Sequence, residues 1–424
     1  MAEGLRDHMG RPVVAVTGIG AVSSLGVGLT ENWAALTAGR SGIHRISRFP
    51  VAHLRTTIAG TIAYLDRDSR GLTLAVGEMA ADEAIVGAGI GSPGNFPGPL
   101  FVAVPPVEVD WKTRKRLYGA SNPASGDAYD RMLAVADAAN DRSEYDEFMF
   151  ANVGEKLADR FGTRGAPISL TTACASGATA IQLGVESIRR GETDAALCIG
   201  TDCSVTAESV IRFLLLSALS NANENPEEAA KPFSKDRDGF VIAEGAAALV
   251  LENYDTARAR GARILAIARG AAEKSDDFHR TRSKPDGSAV IGALRNTFAD
   301  AGMSPDEIEY INAHGTGTPE NDKMEAMSLE AVFGQRLHGV PISSNKSMIG
   351  HTLSAAGAIE AVFSIHTMQT GVIPPTINYK VPDPTITLDV VPNHARAQSV
   401  KSVLSNSFGF GGQNACLIFA AEPA

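Results

Sequence analysis

Residues 166–192 read APISLTTACASGATAIQLGVESIRRGE, and residues 340–372 read VPISSNKSMIGHTLSAAGAIEAVFSIHTMQTGV. Each passes from Pro-Ile-Ser through a polar stretch into a run of small residues, then into a long amphipathic helix pattern. Two further pairs of segments follow in the same order. RPVVAVTGIGAVSS (11–24) shares its layout with RILAIARGAAEKSDD (263–277), a strand of small and branched residues giving way to glycine and polar residues. GEMAADEAIVGAGI (77–90) with PLFVAVPP (99–106) shares its layout with GALRNTFADAGMSPDEIEYINAHGT (292–316), a helix, a glycine, then a strand. Three matches in one order predict an internal duplication. The chain reads as two α/β halves, 1–260 and 261–424, each a mixed sheet with helices on both faces. The halves would share a central pair of buried helices, and the runs ACASGATA and SAAGAIEA are small enough for two helix backbones to approach closely.

The rest of the chain fits this reading. TENWAALTAGRSG predicts a helix opened by Thr30 and closed at Gly39, and GPLFVAVPP a short buried strand stopped by Pro105 and Pro106. Residues 118–150 are polar with little periodicity. The G-x-G of TGIGAV is not a dinucleotide fingerprint, because Ser23 stands at the third glycine position and no acidic ribose partner follows a second strand.

With 44% hydrophobic and 20% charged residues, the chain has the composition of a globular protein. A formal net charge of −10 argues against nucleic-acid binding. No apolar run reaches the roughly 18 residues of a membrane helix. The charged N-terminus, MAEGLRDHMGRP, has no signal-like apolar segment, so a cytoplasmic location and no membrane partner are expected. Cys174, Cys198, Cys203 and Cys416 form neither a disulfide framework nor a paired zinc pattern, and no metal site is expected. Cys198, Cys203 and Cys416 lie in or beside apolar strands and read as inert.

Cys174 differs, because it sits where a helix begins after a strand. Aligned backbone N–H groups there favour a thiolate, although a buried cysteine serving as a small hydrophobe fits the same stretch. The second half supplies candidate partners. His314 follows a strand in INAHGTGTPENDKMEA, and Lys346 and His351 precede the second small-residue helix. Under an internal two-fold, these loops converge on one junction.

Five motifs now stand in order: TTACASGATA, KPFSKDRDGFVIAEGAAALVLE, NAHGTGTPENDKMEA, SSNKSMIGHTLSAAG and SNSFGFGGQNACLIF. They resemble the β-ketoacyl-acyl carrier protein synthases, most of all the elongating synthase II type, from about residue 12 to the C-terminus. The resemblance implies a thiolase-like fold of duplicated α/β halves in five layers, αβαβα, with dimer-forming insertions in the first half. It implies decarboxylative Claisen condensation of an acyl-enzyme with malonyl-carrier protein in fatty-acid elongation, without a cofactor, in a homodimer served by acyl- and malonyl-loaded acyl carrier protein. Cys174 would be the nucleophile, and neutral His314 and His351 would stabilise the enolate. Lys346 would order the site and pair with Glu325. The backbone N–H groups of Cys174 and Phe410 would form the oxyanion hole. Phe410 matches the family's aromatic gate, whereas Phe408 reads as core, and Thr316 and Thr318 would hold the pantetheine arm.

The sequence also departs from that pattern. The Lys- and Arg-rich helix that docks carrier protein in elongating synthases is reduced to AYLDRDSR, leaving Arg67 and Arg70. WKTRKRLYG, with Lys112, Arg114, Lys115 and Arg116, is the densest basic cluster left to dock an acidic carrier, and a solvated helix face fits it as well. An acidic stretch follows, DAYDRMLAVADAANDRSEYDEF, where relatives form acyl pocket and dimer contacts. A specialised synthase with a dedicated carrier fits these changes better than a housekeeping one. Rival readings are a thiolase-like acyl-CoA enzyme, whose second cysteine Cys416 would have to supply, an initiating synthase, which would carry asparagine in place of His351, and a non-catalytic partner subunit, which would lack Cys174.

Overall fold

The computed structural model describes residues 4–106, 111–121, 126–139 and 149–423. Along the path of the main sheet, beside which the short strand Gly26–Val27 pairs with the first, five strands come from the first half: β1 (Val14–Ser23), β2 (Leu100–Ala103), β3 (Ile168–Leu170), β4 (Ala195–Asp202) and β5 (Gly245–Asn253). Six come from the second: β6 (Ala266–Ser275), β7 (Tyr310–Asn312), β8 (Pro341–Ser343), β9 (Asp389–Val390), β10 (Ser402–Phe408) and β11 (Gln413–Ala420). They run in the order β9-β8-β7-β10-β11-β6-β1-β5-β4-β2-β3.

The duplication is visible in this order. Outward from β1 come β5, β4, β2 and β3, and outward from β6 come β11, β10, β7 and β8. On both sides the first two pairings are antiparallel and the next two parallel. Within the main sheet the two halves pair through Ala15↔Ile267 and Val16↔Ala266. β4 and β5 are buried along almost their whole length, so their sequences are continuous small and branched residues without alternation.

Nine of the helices among the described residues position the rest: α1 (Gly28–Thr37), α2 (Ser69–Ala88), α3 (Trp111–Ala120), α4 (Ala128–Ala139), α5 (Ser176–Arg189), α6 (Ala207–Leu215), α7 (Ser288–Ala301), α8 (Pro319–Phe333) and α9 (Ala356–Thr370). α5 and α9 pack on each other and on strands of both halves, while α2 covers β1, β5 and β4, and α7 covers β6 and β11. The layers are therefore helix, sheet, helix pair, sheet, helix, which is the expected αβαβα arrangement. A Cβ on Gly177 would lie 2.5 Å from the Ala358 nitrogen, and one on Gly357 would lie 2.6 Å from the Ala178 nitrogen. The reciprocal contact shows why both helices need glycine at the crossing. Ala173 and Leu353, at equivalent places before α5 and α9, both have positive φ, 50° and 47°.

Two sequence expectations are corrected here. α1 runs from Gly28 to Thr37 rather than from Thr30 to Gly39. The stretch read as aperiodic contains α4, where Tyr129, Met132, Leu133 and Ala136 stand at helical spacing although none of its described side chains is buried. The later part of the acidic stretch, 140–148, lies outside the described residues. No helix among the described residues is long and apolar enough to cross a membrane.

Candidate active site

Cys174 lies in the turn between β3 and α5, 8% exposed, just after the strained Ala173. Its sulfur accepts a hydrogen bond from the Phe410 backbone N–H in the loop between β10 and β11. Burial pushes the thiol up to about 11; the Phe410 N–H and Lys346 pull it back, while Asp202 and Glu360 add to the rise. This corrects the thiolate expected from helix position alone. The helix begins two residues later, at Ser176, and desolvation outweighs the local donors.

His314 and His351 come together from the loops after β7 and before α9, their ring centroids 5.3 Å apart at 83°. Burial, helped by the Lys346 charge, drives both imidazoles well below their ordinary pKa, so both are neutral. The Leu353 N–H reaches His351 Nδ1 at 3.3 Å, which places the ring proton on Nε2. Lys346 Nζ lies 3.3 Å from His314 Nδ1 and assigns that ring the same tautomer. Two neutral Nε2–H donors can hold one developing oxyanion. Phe240 packs edge-on to His351, and Phe408, buried in the core, lies against His314.

Lys346 is almost fully buried and does not pair with Glu325. Its Nζ donates to the His314 carbonyl at 2.6 Å and forms an ion pair with Glu360. Glu325 instead accepts the backbone N–H groups of His314 (2.9 Å) and Gly315 (2.8 Å) and the Asn406 side-chain amide (3.1 Å). Its reach is taken up by the turn that carries His314. Burial pushes its carboxyl up to about 7 against these donors. Glu360, the missed partner, had one signal: a single carboxylate inside the otherwise apolar GAIEAVF. A second missed group, Asp202 at the end of β4, is fully buried and accepts the Ser354 N–H at 3.0 Å, anchoring the turn before α9.

The Thr316 and Thr318 hydroxyls are 2.9 Å apart. Thr318 also caps α8 by accepting the Asn321 N–H, so both residues hold the start of that helix. Phe410 is half-buried beside Phe213, its ring 6.4 Å away. Cys198, Cys203 and Cys416 are buried free thiols, all raised by desolvation.

The basic residues lie apart from this centre. Arg67 is exposed, and Arg70, on the first turn of α2, lines a groove with Lys156 and Glu208. Arg114, Lys115 and Arg116 are exposed on α3, and Arg114 pairs with Glu208 at 3.7 Å. Glu208 of α6 thus pairs with Arg114 and lines the same groove as Arg70. The Lys112 side chain is outside the described residues.

The chain matches the family described as beta-ketoacyl synthase, N-terminal domain, over residues 11–84 and 118–257, and the C-terminal domain over 265–380. It is 37% identical over 420 residues to the tetracenomycin polyketide synthase ketoacyl synthase alpha subunit of Streptomyces glaucescens, covering 96% of each chain. It is 33% identical to 3-oxoacyl-[acyl-carrier-protein] synthase 2 of Coxiella burnetii, covering 96% of this chain and 98% of the relative. Among solved structures, a type II polyketide ketosynthase in complex with its acyl-carrier protein and bound to a hexaketide superposes with a TM-score of 0.87 at 31% identity, over 97% of this chain and all of that one. A β-ketoacyl synthase from Burkholderia phymatum superposes with a TM-score of 0.83 at 32% identity, over 96% and 99%. The chain belongs to the β-ketoacyl synthase family, condensing enzymes of the thiolase fold.

Proposed function

We propose that this synthase extends an acyl chain carried on acyl carrier protein by decarboxylative condensation with a malonyl thioester. The first half, 1–260, supplies the nucleophile, and the second, 261–424, supplies the histidines and the glycine-rich loop. The observation that carries the reading is the pair of neutral histidines, 5.3 Å apart, both with Nδ1 occupied, with a buried thiol that feels the charge of the same Lys346. Cys174 attacks the acyl thioester; its proton leaves with the carrier thiol, and an enzyme thioester remains. The N–H groups of Cys174 and Phe410 hold the acyl carbonyl oxygen. Malonyl thioester then loses CO2, and the electron pair of the broken C–C bond forms an enolate whose oxygen His314 and His351 stabilise. The enolate carbon attacks the acyl carbonyl, the Cys174–acyl bond breaks, and the sulfur takes up a proton. Thr316 and Thr318 would hydrogen-bond the pantetheine arm, as the resemblance implies, and Lys346, paired with Glu360, fixes His314.

For the acyl chain, we propose single-step elongation of a fatty acyl group in a specialised pathway, the reading that the motifs support. The 37% identity to a polyketide ketoacyl synthase alpha subunit supports a second reading, iterative extension without reduction. Mass analysis of carrier-bound products decides between them. One addition of two carbons per reducible 3-oxo product supports elongation, and a ladder of unreduced poly-β-ketones supports the polyketide reading. Absence of any chain extension from malonyl-carrier contradicts both.

A further inference from the structure

Glu273 has no part in the reaction as proposed, and its position is costly. It lies half-buried on β6, among residues packed against α5, and makes no ion pair among the described residues. Burial and the charge of Glu186 both push its carboxyl up, and the Thr179 hydroxyl pulls it back. A side chain kept there for packing alone would be apolar, because a desolvated carboxylate without a cation destabilises the fold.

The carboxylate begins a chain of hydrogen bonds. Thr179 Oγ1, on α5, donates to Glu273, and Thr172 Oγ1 lies 2.8 Å from Thr179 Oγ1. Thr179 has one hydroxyl proton, and the carboxylate, nearer than the Ala175 carbonyl at 3.2 Å, takes it, so Thr172 is the donor in the second bond. The Thr172 backbone is held as well: its N–H donates to Ser176 Oγ at 2.8 Å, and its carbonyl accepts the Ala175 N–H at 3.1 Å. On its other side rests the loop that carries Phe410. A Cβ at Gly409 would lie 3.0 Å from the Thr172 oxygen and 3.2 Å from the Cys174 nitrogen.

We propose that Glu273 is a positioning residue: through Thr179 it fixes Thr172, and so sets the spacing between the Cys174 and Phe410 N–H groups that hold the acyl carbonyl oxygen. The carboxylate belongs to the second half and the threonines to the first, so the chain registers the two halves where the oxyanion hole is assembled from both. The inference rests on the proposed acyl-enzyme chemistry.

The test compares E273M and T179V, which remove a link, with E273Q and T179S, which keep one. With saturating acyl- and malonyl-carrier, kcat should fall about tenfold in E273M and T179V, less than loss of a whole oxyanion donor, while KM stays within about twofold. E273Q and T179S should stay near wild type. In a C174Q background, where malonyl decarboxylation depends on the histidines, E273M should leave CO2 release unchanged. Alkylation of Cys174 by iodoacetamide, which needs no carrier or acyl substrate, should slow about threefold in E273M because the Phe410 N–H loses its hold on the sulfur. Unchanged kcat and alkylation in E273M, or equal losses in E273M and E273Q, would overturn the assignment. So would a matching loss of CO2 release. If C174Q itself releases no CO2, the proposed histidine role fails instead, and the alkylation rates still decide for Glu273.

Discussion

Cys174 is a thiol at rest, so its chemistry depends on what surrounds it rather than on a permanent charge. C174A should abolish acyl-enzyme formation and condensation while leaving the thermal midpoint within a few degrees, since alanine fits among the small residues of this turn. An acyl adduct persisting in C174A would remove the residue from its role. C174Q should retain malonyl decarboxylation without condensation, because the amide oxygen occupies the place of the acyl carbonyl. The histidines carry a separate, pH-dependent signature. Their folded pKa values lie well below the ordinary 6.5, so below that pH the unfolded chain binds protons that the folded chain does not. Stability is fully present above about pH 6.5 and lost as pH falls, by up to about 1.4 kcal/mol per histidine for each pH unit. Glu325, raised to about 7, works in the opposite direction between its unfolded value and neutrality. The comparison is therefore between wild type and H314A/H351A in urea melts at pH 7 and pH 5.5. The double variant should lose roughly 2–3 kcal/mol less on acidification; equal losses would show that the rings are not held neutral.

At the scale of elements, the crossing of α5 and α9 decides whether the loops that carry Cys174 and His351 meet. G177A should lower stability by about 1–3 kcal/mol and slow turnover, since a methyl group has only 2.5 Å to the Ala358 nitrogen and must spread the helices. A neutral G177A, measured by urea unfolding, would mean that the crossing has slack. This crossing was legible in the sequence because helix contact demands small residues, and ACASGATA and SAAGAIEA both advertise them. Cys174, His314, Lys346 and His351 were legible for the same reason: each stands beside a repeated strand or helix signal. The partner of Lys346 was not. Glu325 and Glu360 are 35 residues apart, each in a helix, and no spacing rule says which carboxylate a lysine between them will reach. That depends on the backbone turn at His314, which takes both oxygens of Glu325 for its own N–H groups. α4 was missed because its stripe of Tyr129, Met132, Leu133 and Ala136 is short, set in a polar and acidic stretch, and buries no face.

For the whole molecule, the charge of −10 sets a problem for any acidic carrier. Attraction must come from a local positive surface acting within a Debye length of about 8–10 Å. On α3, Arg114, Lys115 and Arg116 are exposed, and Arg114 is tied to Glu208, which lines one groove together with Arg70. K112E/R116E should raise the apparent KM for carrier-bound substrate about tenfold and weaken its salt dependence, with kcat at saturation little changed. A short pantetheine thioester, which brings no acidic protein, should react as in wild type. Equal losses with both substrates would assign the cluster to shaping the pocket, and no loss with either would make it a solvated face. The central claim, a condensing centre that stores the acyl chain on Cys174 and joins it to a decarboxylated malonyl unit, is tested most directly by intact mass. The protein is incubated with acyl-carrier, and then with malonyl-carrier. The account predicts a mass gain of one acyl group, mapped to the Cys174 peptide, that disappears on addition of malonyl-carrier as CO2 and a chain two carbons longer appear on the carrier. An unmodified protein, or an adduct on any other residue, would contradict it.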